Sequence, residues 1–250
     1  MSKVKSILVS QPKPESERSP YFDLANKLNL KIDFRPFIHI EGIGAQEFRK
    51  TRINLLDHGA VIFTSRNAVD HYFRIAEDMR VTIPSTMKYF CLSESTAFYL
   101  QKYVVFRKRK IFHGKTTFND LLDIMKKHKD ENFLFPASDI LKAEYPKLLE
   151  ENAFKYSKAT LYRTVCSDLS DLAEISYDML VFFSPSGIKS LFQNFPKFVQ
   201  NGTKIAAFGS TTTKAVEHHG LNLNVQAPTP ETPSMTMAIE RYIKALNKKK

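Results

Sequence analysis

Short apolar runs alternate with amphipathic stretches of helical length along this chain. Runs such as 60–63 and 179–183 are apolar at every position, which is typical of strands buried on both faces of a parallel sheet. The stretch 235–246 instead repeats its apolar residues with the period of a helix. Alternating strands and helices predict an α/β fold with parallel sheets and helices on their faces.

The same pattern, followed from end to end, predicts nine strands and nine helices. The strands are expected at 4–9, 31–38, 60–63, 89–92, 133–135, 159–165, 179–183, 204–208 and 223–225. The helices are expected at 21–30, 48–56, 68–75, 96–102, 118–127, 145–152, 188–192, 213–219 and 235–246.

The chain also contains an internal repeat. Residues 60–69 match 179–188, and residues 88–97 match 204–213, at separations of 119 and 116 residues. Each matched segment is an apolar strand followed by a hydroxyl-rich turn and a helix. Two halves of about 125 residues that share one plan predict two similar α/β domains, with a ligand bound between them.

Four of the predicted strand-to-helix turns carry hydroxyl groups, at 64–65, 93–96, 184–187 and 210–213. Ligands of open parallel sheets bind beyond the carboxyl ends of the strands. The unpaired N–H groups and partial positive charge of a helix N-terminus suit a carboxylate or a phosphate. The alternative interpretation is structural, because Ser and Thr are also good helix N-caps.

The charge balance indicates an anionic partner. Lys and Arg number 37 and Asp and Glu number 26, a net charge of +11. Apart from the block 107–110 and the C-terminal lysines, the basic residues are scattered, whereas a nucleic-acid binder favours a contiguous basic face. The charge by itself favours three kinds of polyanion: nucleic acid, an anionic membrane, or a small molecule with many carboxylates or phosphates. The scattered basic residues argue against the first, and we expect no nucleic acid.

Several other classes are disfavoured by composition. Two cysteines are too few for a disulfide framework or a four-cysteine metal site, and we expect no metal. No apolar run reaches the ~18 residues of a membrane span, and the N-terminal apolar run is too short for a signal peptide. These features predict a cytoplasmic protein that does not bind membranes.

Several segments, in order, resemble the signatures of one family. They are Phe63-Thr64-Ser65-Arg66-Asn67-Ala68-Val69, Leu161-Tyr162-Arg163-Thr164-Val165, and the segments 182–187, 205–216 and 227–230. Their order and spacing resemble the uroporphyrinogen-III synthase family over nearly the whole chain.

The resemblance implies a particular division of the fold. Two similar domains, each with a parallel sheet flanked by helices, would be joined by two extended linkers near 34–40 and 159–165. The first strand-helix unit would pair with the C-terminal half. Domain 1 is thus predicted at 1–36 and 164–250, and domain 2 at 37–163.

The resemblance also implies a reaction. The family cyclises hydroxymethylbilane, a linear tetrapyrrole with eight carboxylates, to uroporphyrinogen III, with inversion of the last pyrrole ring and loss of water. It uses no cofactor. We expect a monomer that contacts hydroxymethylbilane synthase transiently. The alternative is a two-domain binding protein for a small polyanion without chemistry.

Site residues follow from the matched positions. Tyr162 matches the family's linker tyrosine, a hydrogen-bond donor or general acid for the departing hydroxyl; its alternative role is that of a packing aromatic. The other matches are candidate substrate-binding residues: Ser65, Arg66, Asn67, Thr96, Ser184, Ser186, Gly187, Thr211 and Thr212. Ser93, Glu94 and Thr213 depart from the family pattern, and Glu94 carries the same sign of charge as the ligand.

Overall fold

The computed structural model describes residues 3–115, 117–172 and 176–248. The chain divides into two units, Met1–His39 with Val165–Lys250 (unit 1) and Ile40–Thr164 (unit 2). The chain passes between the units within two strands, β3 (Ile38–Gly42) and β8 (Tyr156–Cys166).

In chain order the remaining elements of the described residues are as follows. The other strands are β1 Ser6–Val9, β2 Lys31–Phe34, β4 Ala60–Phe63, β5 Lys88–Cys91, β6 Ile111–His113, β7 Phe133–Ser138, β9 Met179–Phe182, β10 Lys204–Phe208 and β11 Leu223–Ala227. The helices are α1 Pro20–Leu28, α2 Ala45–Lys50, α3 Arg66–Asp78, α4 Glu94–Tyr99, α5 Phe118–Met125, α6 Glu144–Glu151, α7 Pro185–Asn194, α8 Ser210–His218 and α9 Met235–Lys248.

Unit 1 is built on a five-stranded sheet in the order β11-β10-β9-β1-β2. All four pairings are parallel. Alternate strand residues form two cores. Val9 and Val181 pack with Leu24 of α1 and Ile239 of α9, and the opposite face packs against Ile188 of α7 and its neighbours. The sheet therefore lies between two layers of helices.

Unit 2 contains a six-stranded sheet in the order β3-β8-β7-β4-β5-β6. The five strands from β8 to β6 pair in parallel. One face packs Val61 and Phe63 against Tyr72 of α3. The other packs Ile62 and Phe90 against residues of α5 and α6. The predicted fold class, α/β with parallel sheets flanked by helices, is confirmed.

The two sheets follow the same strand order once the repeat is applied. The repeat matches β9 with β4, and β10 with β5, and its looser match at the start of each half pairs β1 with β7. With these equivalences both sheets run in one order, and β3 is an addition at the edge of unit 2. In unit 1, β2 is added on one side of β1, whereas β10 and β11 are added on the opposite side of β9, so the winding reverses between β1 and β9. The equivalent reversal in unit 2 lies between β7 and β4.

Some predicted elements differ from the structure. The strand expected at 31–38 stops after Phe34, because Pro36 has no backbone N–H for the ladder and Phe37 turns inward against Phe182, with ring centroids 5.7 Å apart. The helix expected at 48–56 ends at Lys50. Asn54 accepts a hydrogen bond from the Leu56 backbone N–H and begins a separate 3-10 turn. A short polar side chain that bonds to a nearby backbone N–H gives the backbone an alternative to the continued helix.

Strands β3 and β6 were not predicted. β6 is three residues long and lies at the edge of its sheet, so it lacks the apolar run that marks a central strand. No helix among the described residues is long and apolar enough to cross a membrane.

Candidate active site

In each sheet the winding reverses between two neighbouring strands, and open α/β sheets bind ligands beyond the carboxyl ends of the strands at such a point. In unit 1 the turn after β9 lies at this position, and in unit 2 the turn after β4 does. These are the turns that begin at Ser184 and Ser65, which the sequence repeat pairs with each other.

The turn at 184–187 is closely packed. Ser184 caps α7, accepting a hydrogen bond of 3.2 Å from the Gly187 backbone N–H. A Cβ on Gly187 would lie 3.4 Å from Phe182 Cδ1 and 3.7 Å from the Oγ of Ser10, the residue after β1. The turn therefore packs onto the end of β1, while Ser186 is half-buried in the first turn of the helix.

The start of α8 has a different cap. Gly209 occupies the N-cap position with φ 85°, and no side chain caps the helix. Thr211 is exposed, whereas Thr212 is fully buried. Within the described part of the chain, the hydroxyls of Thr212 and Thr213 have no hydrogen-bond partner. Buried hydroxyls are seldom left unpaired, so this helix start has unused hydrogen-bonding capacity.

In unit 2, Ser65 caps α3 and accepts a hydrogen bond of 3.1 Å from the Ala68 backbone N–H. Arg66 extends over the ring of Tyr99, with its Cζ 5.4 Å from the ring centroid. Asn67 is exposed on the first turn. Arg66 therefore makes a cation–π contact.

The turn after β5 is the counterpart, in the sequence repeat, of the turn that begins α8. Ser93 caps α4, and its Oγ lies 3.1 Å from the hydroxyl of Thr96. Thr96 and Thr212 each occupy the third residue of their helix and are each buried. They differ in that the Thr96 hydroxyl has a partner. Glu94 is exposed in the same turn.

Tyr162 lies towards the end of β8, beside β7, in register with Ser138. Its hydroxyl shares a hydrogen bond of 3.2 Å with Ser65 Oγ, 97 residues away in the chain. Its ring stacks on His71 of α3. Only 6 % of its surface is exposed, so any contact with a ligand is confined to a small part of the side chain.

The surroundings of Tyr162 keep its phenol protonated. Burial raises the pKa of Tyr162, the hydrogen bond with Ser65 opposes this, and the charge of Asp139 adds to the rise in pKa. Asp139 itself is ionised, since hydrogen bonds from Ser138 and from backbone N–H groups outweigh burial and lower its pKa. Tyr162 is therefore a hydrogen-bond donor at neutral pH.

The described residues contain no group of three or more His, Cys, Asp or Glu placed to hold a metal ion. Both cysteines are free thiols.

A family model described as uroporphyrinogen-III synthase HemD matches residues 21–237, most of the chain. This chain belongs to the uroporphyrinogen-III synthase family. A curated relative, the uroporphyrinogen-III synthase of Chlorobaculum parvum, is 26% identical over 254 residues, covering 96% of this chain and 100% of that protein.

Solved structures show the same fold. The uroporphyrinogen-III synthetase of Helicobacter pylori superposes with a TM-score of 0.62 at 17% identity, covering 97% of this chain and 100% of that one. A mutant uroporphyrinogen III synthase of Thermus thermophilus gives 0.56 at 15% identity, with the same coverage. Members of this family thus share the architecture of both units at low identity.

Within its units the structure brings some of the predicted residues together. Ser65 and Tyr162 are in contact, and Ser184 contacts Gly187. Arg66 lies on Tyr99, and the side chains of Asn67 and Thr211 are exposed. Ser10 and His71 were missed, although the signal for Ser10 was present, since it follows an apolar strand in the way that Ser65 and Ser184 do.

Proposed function

We propose that this protein is a uroporphyrinogen-III synthase, which cyclises hydroxymethylbilane to uroporphyrinogen III with inversion of the last ring and loss of water. The observation that carries the proposal is the Tyr162 hydroxyl, joined to the N-cap of α3 at the carboxyl end of β4, where the winding of the sheet reverses. Family membership supplies the reaction class, and the described residues supply groups suited to it.

Loss of water from the substrate's terminal hydroxymethyl group needs a hydrogen-bond donor to the departing oxygen. Ser65 Oγ accepts the Ala68 N–H and can direct its own proton to the Tyr162 oxygen. The phenol proton of Tyr162 then remains free for the departing hydroxyl. The positive end of α3 stabilises the negative charge that develops on the Tyr162 oxygen as its proton is donated, because Ser65 connects that oxygen to the helix N-terminus.

The carboxylates of the substrate are proposed to bind at the helix N-termini of both units. The start of α8 has the strongest support, since its cap is a glycine and the buried Thr212 hydroxyl has no partner among the described residues. The turns containing Ser65, Arg66, Asn67, Thr96, Ser184, Ser186, Gly187 and Thr211 are proposed to supply further donors. The net charge of +11 favours an octacarboxylate.

On this proposal the protein acts mainly by positioning. Unguided closure of the linear tetrapyrrole gives the other isomer, so the enzyme must hold one conformation while the chain closes. Holding reacting groups in place is worth several orders of magnitude in rate. Many weak donors spread over several turns suit this task, and the proposal requires no cofactor. We further propose that the protein works as a monomer in transient contact with hydroxymethylbilane synthase.

The test couples the purified protein to hydroxymethylbilane synthase and separates the oxidised porphyrin isomers by chromatography. We expect a dominant type III isomer that is absent without this protein. Tyr162→Phe should lower kcat about 100- to 10,000-fold because it removes a donor used in the chemical step. Tyr156→Phe, on the same strand and hydrogen-bonded to Glu150 at the surface, is the matched control and should retain activity.

Type I isomer alone from the wild-type protein would contradict the proposal. Retained binding of the cyclised product in that case would instead favour the alternative, a polyanion-binding protein without catalysis. An active Tyr162→Phe variant would contradict the role of the phenol while leaving the overall activity in place.

A further inference from the structure

The proposed function leaves the stacked partner of Tyr162 without a role. His71 lies in the second turn of α3, and its ring faces that of Tyr162 with centroids 4.9 Å apart and planes 18° apart. Ser65, the N-cap of the same helix, bonds to the hydroxyl of Tyr162. Helix α3 therefore contacts Tyr162 at two points, the face of its ring and its oxygen.

Arg74, one turn after His71, holds the imidazole in place. Its Nε donates to His71 Nδ1 at 3.2 Å, and its Nη1 donates to Asp78 at 2.6 Å. A guanidinium can only donate, so His71 Nδ1 must be unprotonated. The contact therefore requires a neutral imidazole with its hydrogen on Nε2.

The same guanidinium is tied to the backbone beside Tyr162. Arg74 Nη2 donates to the carbonyl oxygens of Ile43, at 2.7 Å, and Leu161, at 3.4 Å. Leu161 directly precedes Tyr162 and also accepts the Ile43 backbone N–H at 2.9 Å. Arg74 thus connects α3, the residue after β3, and β8 at the position of the proposed catalytic residue.

A glycine makes room for this arrangement. A Cβ on Gly42, the last residue of β3, would lie 2.7 Å from both Cζ and Nη2 of Arg74. Contacts that short do not occur, so any larger residue at position 42 would displace the guanidinium.

We propose that His71 and Arg74 are positioning residues that hold the ring of Tyr162 so that its hydroxyl remains against Ser65. The proposal deepens the proposed function and rests on it. A tyrosine ring that turns about χ1 carries its oxygen away from Ser65, and the stack with His71 opposes that rotation. A displacement of about 1 Å at a reacting group can cost about 100-fold in rate.

The charges around His71 agree with this geometry. Burial and the Arg74 charge lower the pKa of His71, and Asp70 on the same helix opposes them. From the sheet, His71 faces the neutral phenol of Tyr162, with the Asp139 carboxylate close to that phenol. Protonation of His71 would place a proton on the nitrogen that faces Arg74 and would break their hydrogen bond.

The first test uses substrate-free protein and does not depend on activity. 3-Fluorotyrosine is placed at position 162, and its fluorine resonance is followed as the pH is lowered from 8 to 4.5. We expect a shift with a midpoint below 6.5, the ordinary pKa of His. The shift should be absent in His71→Phe, and its midpoint should rise in Arg74→Gln and in Gly42→Ala. An unchanged titration in His71→Phe, or an unchanged midpoint in both other variants, would overturn the proposal.

The second test uses the coupled assay. His71→Ala should lower kcat about 10- to 100-fold with KM within about twofold, and His71→Phe should recover most of kcat because a flat ring is restored. Glu77→Gln, on the exposed side of the same helix, is the control and should retain full activity. In the Tyr162→Phe background, His71→Ala should have no further effect, since residues that act through one another are not additive.

Unchanged kcat in a folded His71→Ala variant would overturn the proposal, as would equal effects of that substitution with and without the Tyr162 hydroxyl. If the wild-type protein makes no type III isomer, the proposed function fails. The fluorine titration needs no activity, so in that case it still tests whether His71 and Arg74 position Tyr162. Failure of the proposed function and failure of the positioning role are therefore distinguishable.

Discussion

At the scale of single residues, two threonines that look equivalent in sequence are different in their surroundings. Thr96 and Thr212 are both buried at the third residue of a helix, but the Thr96 hydroxyl bonds to Ser93 whereas the Thr212 hydroxyl has no partner in the described ranges. An unsatisfied buried hydroxyl costs free energy. The unpaired hydroxyl of Thr212 is therefore a candidate for ligand binding.

Replacing Thr212 by Val separates binding from stability. The free energy of unfolding should stay constant or rise by about 1 kcal/mol, because the substitution removes an unpaired buried hydroxyl of nearly the same shape. KM for hydroxymethylbilane should rise at the same time. Urea denaturation and the coupled assay measure the two effects.

Thr96→Val is the matched control, and it should lower the free energy of unfolding by about 1 kcal/mol because it breaks an existing hydrogen bond. A destabilised Thr212→Val variant with normal KM would show that Thr212 is only structural.

The pH dependence of stability tests the neutral state of His71. Its pKa is lower in the folded protein than the ordinary 6.5, so the unfolded chain takes up the proton first as the pH falls. The stability that depends on neutral His71 is thus present above about pH 6.5 and is lost as the pH drops through that value towards the folded pKa.

We therefore expect the unfolding temperature of His71→Phe to fall less than that of the wild type between pH 7.5 and pH 5. His218→Gln, at an exposed position of α8, should keep the wild-type dependence. Parallel curves for His71→Phe and the wild type would rule out this linkage.

At the scale of elements, the strand-to-helix turns are predicted better than the residue at which each helix begins. Helices α3, α4 and α7 begin at Arg66, Glu94 and Pro185, two to three residues before the predicted 68, 96 and 188. Ser65, Ser93 and Ser184 each end an extended segment and accept a hydrogen bond from a backbone N–H in the first turn, as expected of N-caps. The start of α8 is the exception, since Gly209 occupies the cap with φ 85° and ψ 149°. That conformation is nearly restricted to glycine.

Gly209→Ala should lower the free energy of unfolding by about 1–3 kcal/mol. The cost is backbone strain alone, because a Cβ at this position would meet no atom within 4 Å. Urea denaturation measures it. Gly202→Ala, which also meets nothing within 4 Å and needs no positive φ, should change stability by less than about 1 kcal/mol. Equal effects at both positions would contradict the strain argument.

At the scale of the whole molecule, the excess of positive charge is a property of the entire chain. The net charge of +11 attracts polyanions over distances limited by the Debye length, about 10 Å at 0.1 M salt. Ion pairs among the described residues are mostly exposed, and such pairs contribute little to stability. We attribute the charge to substrate attraction rather than to folding.

Salt should then act on binding and leave the chemical step alone. Raising NaCl from about 0.05 M to about 0.5 M should increase KM for hydroxymethylbilane several-fold, with kcat nearly constant, because screening weakens long-range attraction. Sucrose at matched osmolality controls for effects other than charge. A constant KM across this range would show that the net charge does not assist binding.

The sequence by itself determined the features that depend on neighbouring residues. The apolar runs predicted the parallel strands, the hydroxyl residues after them predicted the strand-to-helix turns, and the ordered segments indicated the family. These features are set by interactions within a few residues, so a local pattern is enough to specify them. Where a local competitor was overlooked, as at Pro36 and Asn54, the predicted element was too long.

The tertiary structure decided which distant residues meet. The bond between Ser65 and Tyr162 spans 97 residues, the stack of His71 on Tyr162 joins a helix to a strand, and the guanidinium of Arg74 fits beside Gly42. None of these has a local signature, because each depends on which strand lies beside which in the sheet. The unpartnered state of Thr212 likewise follows from the packing around it, since the same residue type at Thr96 found a partner.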